Sequence, residues 1–383
     1  MLILAGYMLG RSLLIYNVDP AAYQLEELNS QNIMISMLSG DRHRYTLFAL
    51  GIMPYITANL FILIFMAIKG SEFKARISPR RMKRFTLILM TVIAAISAIS
   101  RTDGLIFKES NLDSEILKII AVLEMTTGAL IIYKMVKANQ EYGIGSQTPI
   151  ILVNILDNLI STIQNFTWKE LYNSLILCLI MSVVMLFMEN ILIRIPVQRV
   201  SIHNVYADKS YIAFKLDPIG VMPVMFAVSF FMIPQLVVRF FLLFYENNRT
   251  LQLIYENLNL TNITGVTIYL GIIFTLNILF SFIMLTPGEM AEQLQRGGDS
   301  IVNVYAGKKT KKYLRKRLLT LCVFSGCILC FLMGVSLGQS LKGEISSELA
   351  LLPATAMILT SLLCTLCREV KTYWKFDSYT FFI

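Results

Sequence analysis

Charge is scarce in this chain. Of its 383 residues, 15% are Asp, Glu, Lys or Arg, while 56% are hydrophobic. A soluble domain carries charge on about a quarter of its residues, so a water-facing globule is excluded. Histidine occurs twice, as His43 and His203, and neither HExxH nor GxSxG is present. With no nucleophile and base at working spacing, we expect no enzyme, no catalytic residue and no cofactor. A Walker A motif is missing too, so any work must be driven by a partner or by the membrane potential. A repeating series of short segments of alternating polarity is absent, which excludes a transmembrane β-barrel. Met1 to Tyr16 is apolar but lacks a basic leader and a small-residue cleavage site, so it does not read as a cleavable signal peptide.

What is present is a series of long apolar runs. They define an all-α membrane protein. We expect ten spans, at about 1–16, 46–67, 84–101, 116–136, 147–164, 171–193, 219–243, 265–286, 317–338 and 349–367. The first is short and begins at the initiator, which leaves room for an amphipathic leader ahead of it. All six cysteines (Cys178, Cys322, Cys327, Cys330, Cys364, Cys367) fall in these runs. The two CxxC pairs sit at different depths with no histidine near. We therefore expect small buried hydrophobes and no metal site.

The loops give orientation. Lys69, Lys74, Arg76, Arg80, Arg81, Lys83 and Arg84 cluster between spans two and three, and Arg296 and Lys308 to Arg317 between spans eight and nine. Alternate loops are mixed or acidic, with Asp103, Glu109, Asp113 and Glu115 in one and Glu344 and Glu348 in another. Basic loops stay in the cytoplasm, so both termini are expected there. The net charge of +9 is then a topology signal at the lipid bilayer, not a nucleic-acid footprint. Two of these loops exceed what topology needs. Residues 195–218 alternate like a β-hairpin around Ala207-Asp208. Residues 287–316 read as a short helix through Gln295, a break at Gly297-Gly298, and a basic helix. On the other side, NIMISML (Asn32 to Leu38) is too short to span and too apolar for a free loop. Four NxT triplets, at Asn165, Asn248, Asn259 and Asn262, also fall in outside loops.

The most unusual span is TLFALGIMPYITANLFILI, Thr46 to Ile64, with Pro54 inside it. A proline within a helix removes a backbone hydrogen bond, and in lipid that defect needs neighbours or water. Ile52 and Ile56 share one face. Two readings stand: a proline-kinked packing helix, or a helix that lines a passage. Glu124 and Asp157 lie within spans and are expected to face other helices or a pore, while Glu189 is expected at an interface. An ion-coupled secondary transporter of small solutes is the alternative that such carboxylates keep open.

The opening stretch resembles the second span of the SecY family of protein-conducting channels, most closely in FALGIMPYI. Further similarities follow in order: Val18-Asp19-Pro20 after Arg11, Ser39-Gly40, EYGIG (Glu141 to Gly145), RIPVQ (Arg194 to Gln198), GVMPVMFA (Gly220 to Ala227) and PGEMAEQLQRGG (Pro287 to Gly298). The resemblance implies ten helices in two inverted five-helix halves, residues 1–167 and 168–383, that form a clamshell. It implies an apolar pore ring of Ile52, Ile56, Thr148, Leu152, Met225 and Ile358. It implies a plug over about Ser30 to Ser39 that includes Asn32, Ile33, Met34, Ile35, Met37 and Leu38. Lateral-gate positions would be Thr57, Asn59 and Ser229. Arg199, Lys209, Tyr305, Lys308, Lys309, Lys311 and Lys312 would receive a SecA-like ATPase, with SecE-like and SecG-like small subunits as further partners and a secreted preprotein as substrate. Thr148 departs from the family's aliphatic preference, and Tyr305 stands where the family has a loop arginine. These departures and the short, divergent chain are similar to the accessory SecY of Gram-positive bacteria, which works with its own SecA to export serine-rich glycosylated adhesins.

Overall fold

The computed structural model describes residues 2–19, 45–69, 77–102, 105–108, 113–199, 211–244, 249–258, 260, 262–341 and 347–380. The chain divides into two compact units, Met1–Lys169 with Leu362–Ile383, and Glu170–Ser361.

The first unit is helical. It holds α1 (Leu2–Ser12), α2 (Met53–Lys69), α3 (Pro79–Thr102), α4 (Ser114–Tyr142) and α5 (Thr148–Asn165). Helix α3 shows how a membrane helix inverts the usual amphipathic plan. It buries Met90, Ala94, Ala98 and Thr102, each four residues from the last. Phe85, Ile88, Val92, Ile96 and Ile99 are exposed. Small residues let helices approach closely, and the large apolar ones meet lipid. Helix α3 packs on α4 and on α2, and α1 packs on α4 and α5. Tyr7 of α1 donates to Asn154 Oδ1 of α5 at 2.7 Å, and Arg11 pairs with Asp157 at 2.6 Å, so a polar seam joins these two helices.

The second unit opens with α6 (Trp168–Asn190), β1 (Leu192–Arg199), β2 (Tyr211–Lys215), α7 (Met222–Phe244) and α8 (Arg249–Asn257). It continues through α9 (Ile263–Leu285), α10 (Pro287–Arg296), β3 (Asp299–Ile301), α11 (Lys308–Leu341) and α12 (Ser347–Thr380), which ends in the first unit. Helices α9 and α11 pack closely. Asn277 bridges them by donating to the Cys322 carbonyl and the Ser325 hydroxyl, both at 2.9 Å. The expected hairpin starts at Leu192, three residues early, because the alternating pattern runs straight out of α6. Its tip lies outside the described residues.

The hairpin also gains a third strand, giving the order β2-β1-β3. Pro196 sits in the middle strand where the ladder changes partners, pairing with Tyr211 just before Val197 pairs with Ile301. A missing N–H is tolerated there. A small core of Ile195, Phe214, Ala291, Ile301, Leu314 and Leu321 joins the sheet to α10 and α11.

Among the described residues, six helical stretches are long and apolar enough to cross a membrane: Pro79–Thr102, Ser114–Tyr142, Leu171–Asn190, Ile263–Arg296, Lys308–Leu341 and Leu349–Phe376. Cys178 and Cys322 are buried, whereas Cys327 and Cys367 are exposed. This corrects the expectation of six buried cysteines. On an apolar helix the outer face meets lipid, where a weakly polar thiol costs little.

Candidate functional site

The helix expected from Thr46 starts only at Met53. Tyr45 to Ile52 instead form a run of turns clamped from three sides. The Ile15 N–H donates to the Tyr45 carbonyl and the Leu47 N–H to the Leu13 carbonyl, both at 2.9 Å. Phe48 stacks on Tyr7 with ring centroids 5.7 Å apart and fills the space that a side chain at Gly10 would need. The Leu47 carbonyl lies against Gly128 of α4, where any Cβ would collide with it. Arg101 donates to the Ala49 carbonyl at 2.5 Å.

Gly51 then turns with φ +56°. The Ile52 carbonyl accepts from the N–H groups of Tyr55 and Ile56, both at 3.1 Å. Pro54 is therefore the second residue of α2, where its missing N–H has no helical partner to lose. The interior kink is corrected: this proline starts a helix. Among the described residues, the helices that do carry an interior proline are α7, at Pro234, and α12, at Pro353.

Ile52 is 1% exposed and Ile56 5%. Thr57 and Asn59 are half-buried, and the Thr57 hydroxyl donates to the Met53 and Pro54 carbonyls at 3.0 and 3.1 Å. Thr148 opens α5, with Leu152 one turn on, and both are half-buried. Gly145, at φ +80°, sets up that start, and its N–H donates to Glu369 of α12 at 3.1 Å.

In the second unit Met225 and Ile358 are buried. Ser229 lies in α7, but its side chain is outside the described residues. Asn32, Ile33, Met34, Ile35, Met37 and Leu38 also lie outside them, as does Lys209.

The basic loop ends in an exposed face. Tyr305 is 77% exposed, with Lys309 Nζ 4.5 Å from its ring centre, and Lys308, Lys311 and Lys312 are exposed beside it on the first turns of α11. The expected separate basic helix is continuous with the apolar one. Arg199 ends β1, in register with Asp299 of β3.

Glu189, one residue before the end of α6, is 2% exposed, accepting from the Ser361 hydroxyl at 2.7 Å and from Lys215 Nζ at 3.2 Å, so it is a buried, partnered carboxylate. Glu124 accepts the Tyr16 N–H at 2.9 Å. Sequence reasoning missed an internal echo. Gly220, Val221, Met222 and Pro223 repeat the pattern of Gly51, Ile52, Met53 and Pro54. Gly220 has φ +72°, and the Val221 carbonyl accepts from Val224 and Met225 at 3.0 and 3.2 Å. The shared Gly-x-Met-Pro was the available signal.

The architecture superposes on a solved structure described as "The structure of a protein conducting channel", with TM-score 0.64 at 16% identity over 97% of this chain and 90% of that one. It also superposes on Sec61 in the canine ribosome-channel complex from the endoplasmic reticulum, with TM-score 0.60 at 16% identity over 97% of this chain and 90% of that one. The class is thus a multi-pass helical membrane protein with the SecY/Sec61 channel fold. The family model described as SecY matches residues 46–365, and the chain belongs to the SecY family.

Among its relatives is the accessory Sec system protein translocase subunit SecY2 of Leuconostoc gelidum subsp. gasicomitatum. That protein is 26% identical over 99% of this chain and 94% of its own length. Its counterpart from Streptococcus agalactiae is 27% identical over 98% of this chain and 92% of its own length. The one from Staphylococcus epidermidis is 24% identical over 99% and 94%.

Proposed function

We propose that this chain is the pore subunit of an accessory-type Sec protein translocase in the cell membrane. The observation that carries the reading is the end-to-end match to accessory Sec subunits, 98% of this chain in one case and 99% in another. In this reading α1, α2, α5 and α7 span the membrane beside the six long helices. Ten spans then form two inverted halves, residues 1–167 and 168–383, with both termini cytoplasmic. The alternation of basic and acidic loops supports that orientation.

The constriction is assigned to Ile52, Ile56, Thr148, Leu152, Met225 and Ile358, the plug to about Ser30 to Ser39, and the lateral gate to Thr57, Asn59 and Ser229. A threading polypeptide is polar and needs a wet path, while an apolar waist blocks ions by dewetting. The substrates are serine-rich glycosylated adhesins. Tyr305, Lys308, Lys309, Lys311 and Lys312, with Arg199 and Lys209, receive an accessory SecA-like ATPase, and SecE-like and SecG-like subunits brace the channel. A small-solute transporter is disfavoured because Asp157 is engaged by Arg11 and Glu124 by a backbone N–H.

The test is crosslinking. Single cysteines at Ile52, Leu152 and Met225, in a cysteine-free background, should capture a stalled export substrate in membrane vesicles. A cysteine at the exposed Ile96 should not. Capture at Ile96 alone, or at none of the four, rejects the pore assignment.

A further inference from the structure

Where β2 ends and the chain turns toward α7, the second unit buries two carboxyl groups. Glu189 is 2% exposed and Asp217 0%. Glu189 is well held, with Oε1 on the Ser361 hydroxyl of α12 and Oε2 on Lys215 of β2. Asp217 is not. Neither of its oxygens has a hydrogen-bond partner of ordinary geometry among the described residues, although the Ile219 and Gly220 N–H groups lie near enough to favour its charged form. The turn is crowded as well: a Cβ on Gly220 would stand 2.6 Å from Glu189 Oε1 and 3.3 Å from Ser361 Oγ. Among the described residues, the charged and titratable groups acting on Asp217 are Glu189 from α6, Lys215 from β2 and the Cys322 thiol from α11. A carboxylate without a hydrogen-bond partner of ordinary geometry among the described residues thus sits beside a second carboxylate where solvent does not reach. A buried unpaired charge is costly, and one proton removes it while turning an acceptor-only group into a donor.

We propose that Asp217 and Glu189 form a one-proton binding site that secures the turn into α7, with the proton carried by Asp217. The site is independent of the pore reading, since its test involves no export. Burial lifts the Asp217 carboxyl from its ordinary 3.8 to about 7, and the Glu189 carboxylate adds to the rise, against Lys215 and the two backbone N–H groups. The folded-state value is the higher one. The stability held by the proton is therefore complete below the unfolded value and is lost as pH rises through about 7. The titration falls at neutral pH, so the turn is tight on the acid side and loosened on the alkaline side.

Infrared spectroscopy of the purified full chain in lipid nanodiscs tests this. A protonated-carboxyl band should be present at about pH 6 and fade by about pH 8.5, centred near the value that burial gives Asp217. Asp217→Asn should lack that band and lose the fall in thermal midpoint over the same range. Glu189→Gln should move the band's midpoint to lower pH by removing the neighbouring carboxylate. Should either variant fail to fold, 13C-aspartate labelling of the unmutated chain shifts the titrating band if an aspartate holds the proton. A band absent at about pH 6, unmoved by labelling, or retained in Asp217→Asn overturns the site. So does an Asp217→Asn midpoint that falls with pH as the unmutated one does.

Discussion

Two helix starts in this protein share one device and differ in what surrounds it. Gly51 and Gly220 both turn in the left-handed region, Ile52 and Val221 both offer the first carbonyl, and Pro54 and Pro223 both take the second helical position. The run of turns ahead of Gly51 is held by Phe48 on Tyr7, Leu47 against Gly128 and the Arg101 guanidinium on the Ala49 carbonyl. Around Gly220 the walls are Glu189, Ser361 and the buried Asp217. The backbone geometry is thus set by a local motif, while the sensitivity of each turn is set by what it packs against. The second turn is crowded by a carboxylate and buries another that has no hydrogen-bond partner of ordinary geometry among the described residues.

The largest expected effect tests whether the two starts act as twins. Ile56 and Met225 hold the same register, each donating its N–H to the cap carbonyl. If both belong to one seal, Ile56→Lys and Met225→Lys should each raise ion flux into proteoliposomes on the order of tenfold. Unchanged flux in one of them breaks the pairing.

Next comes the asymmetry in crowding. Gly51→Ala meets at least the left-handed cost, about 1–2 kcal/mol. Gly220→Ala meets that and the Glu189 oxygen, and should lose about 1–3 kcal/mol more from overpacking. Thermal unfolding in detergent measures both, and a Gly220→Ala loss no greater than the left-handed cost would contradict the crowding by Glu189.

A smaller effect separates polar links within each unit. Asn277→Ala removes two interhelical bonds and should cost about 0.6–1.7 kcal/mol. Tyr7→Phe removes the bond to Asn154 and should sit at the bottom of that range. Equal losses in the same unfolding assay would show that bond number does not set the cost.

The smallest structural effect belongs to the basic face. Reversing Lys308, Lys309, Lys311 and Lys312 should leave the thermal midpoint where it is, because these side chains are exposed. Binding of the ATPase partner should fall steeply and become insensitive to salt. Undiminished binding removes these lysines from the docking face.

Much of this was legible before any coordinates. Apolar run length finds the six long helices, because lipid imposes both length and composition. The Gly297-Gly298 break and the proline-led α10 also follow from local chemistry. The start of α2 was misplaced because hydropathy cannot tell a buried turn from a helix. Leu47 and Phe48 are as apolar as a span requires, yet they are held by Gly10 and Gly128, far away in the chain. Strand β3 was missed because Asp299–Ile301 is three residues long and its partner lies about a hundred residues earlier. The partners of Glu189, Lys215 and Ser361, were not legible because other elements contribute them. In each case the deciding neighbour was distant in sequence.

Helix α11 carries one more consequence. It runs unbroken from Lys308 to Leu341, 34 residues without a proline, a rod of about 51 Å at 1.5 Å per residue. Its first turns are a basic handle in the open, and its remainder is wedged against α9 through Asn277. A stiff bar with no joint cannot soak up a tug at one end, so whatever grips the handle also levers the buried shaft.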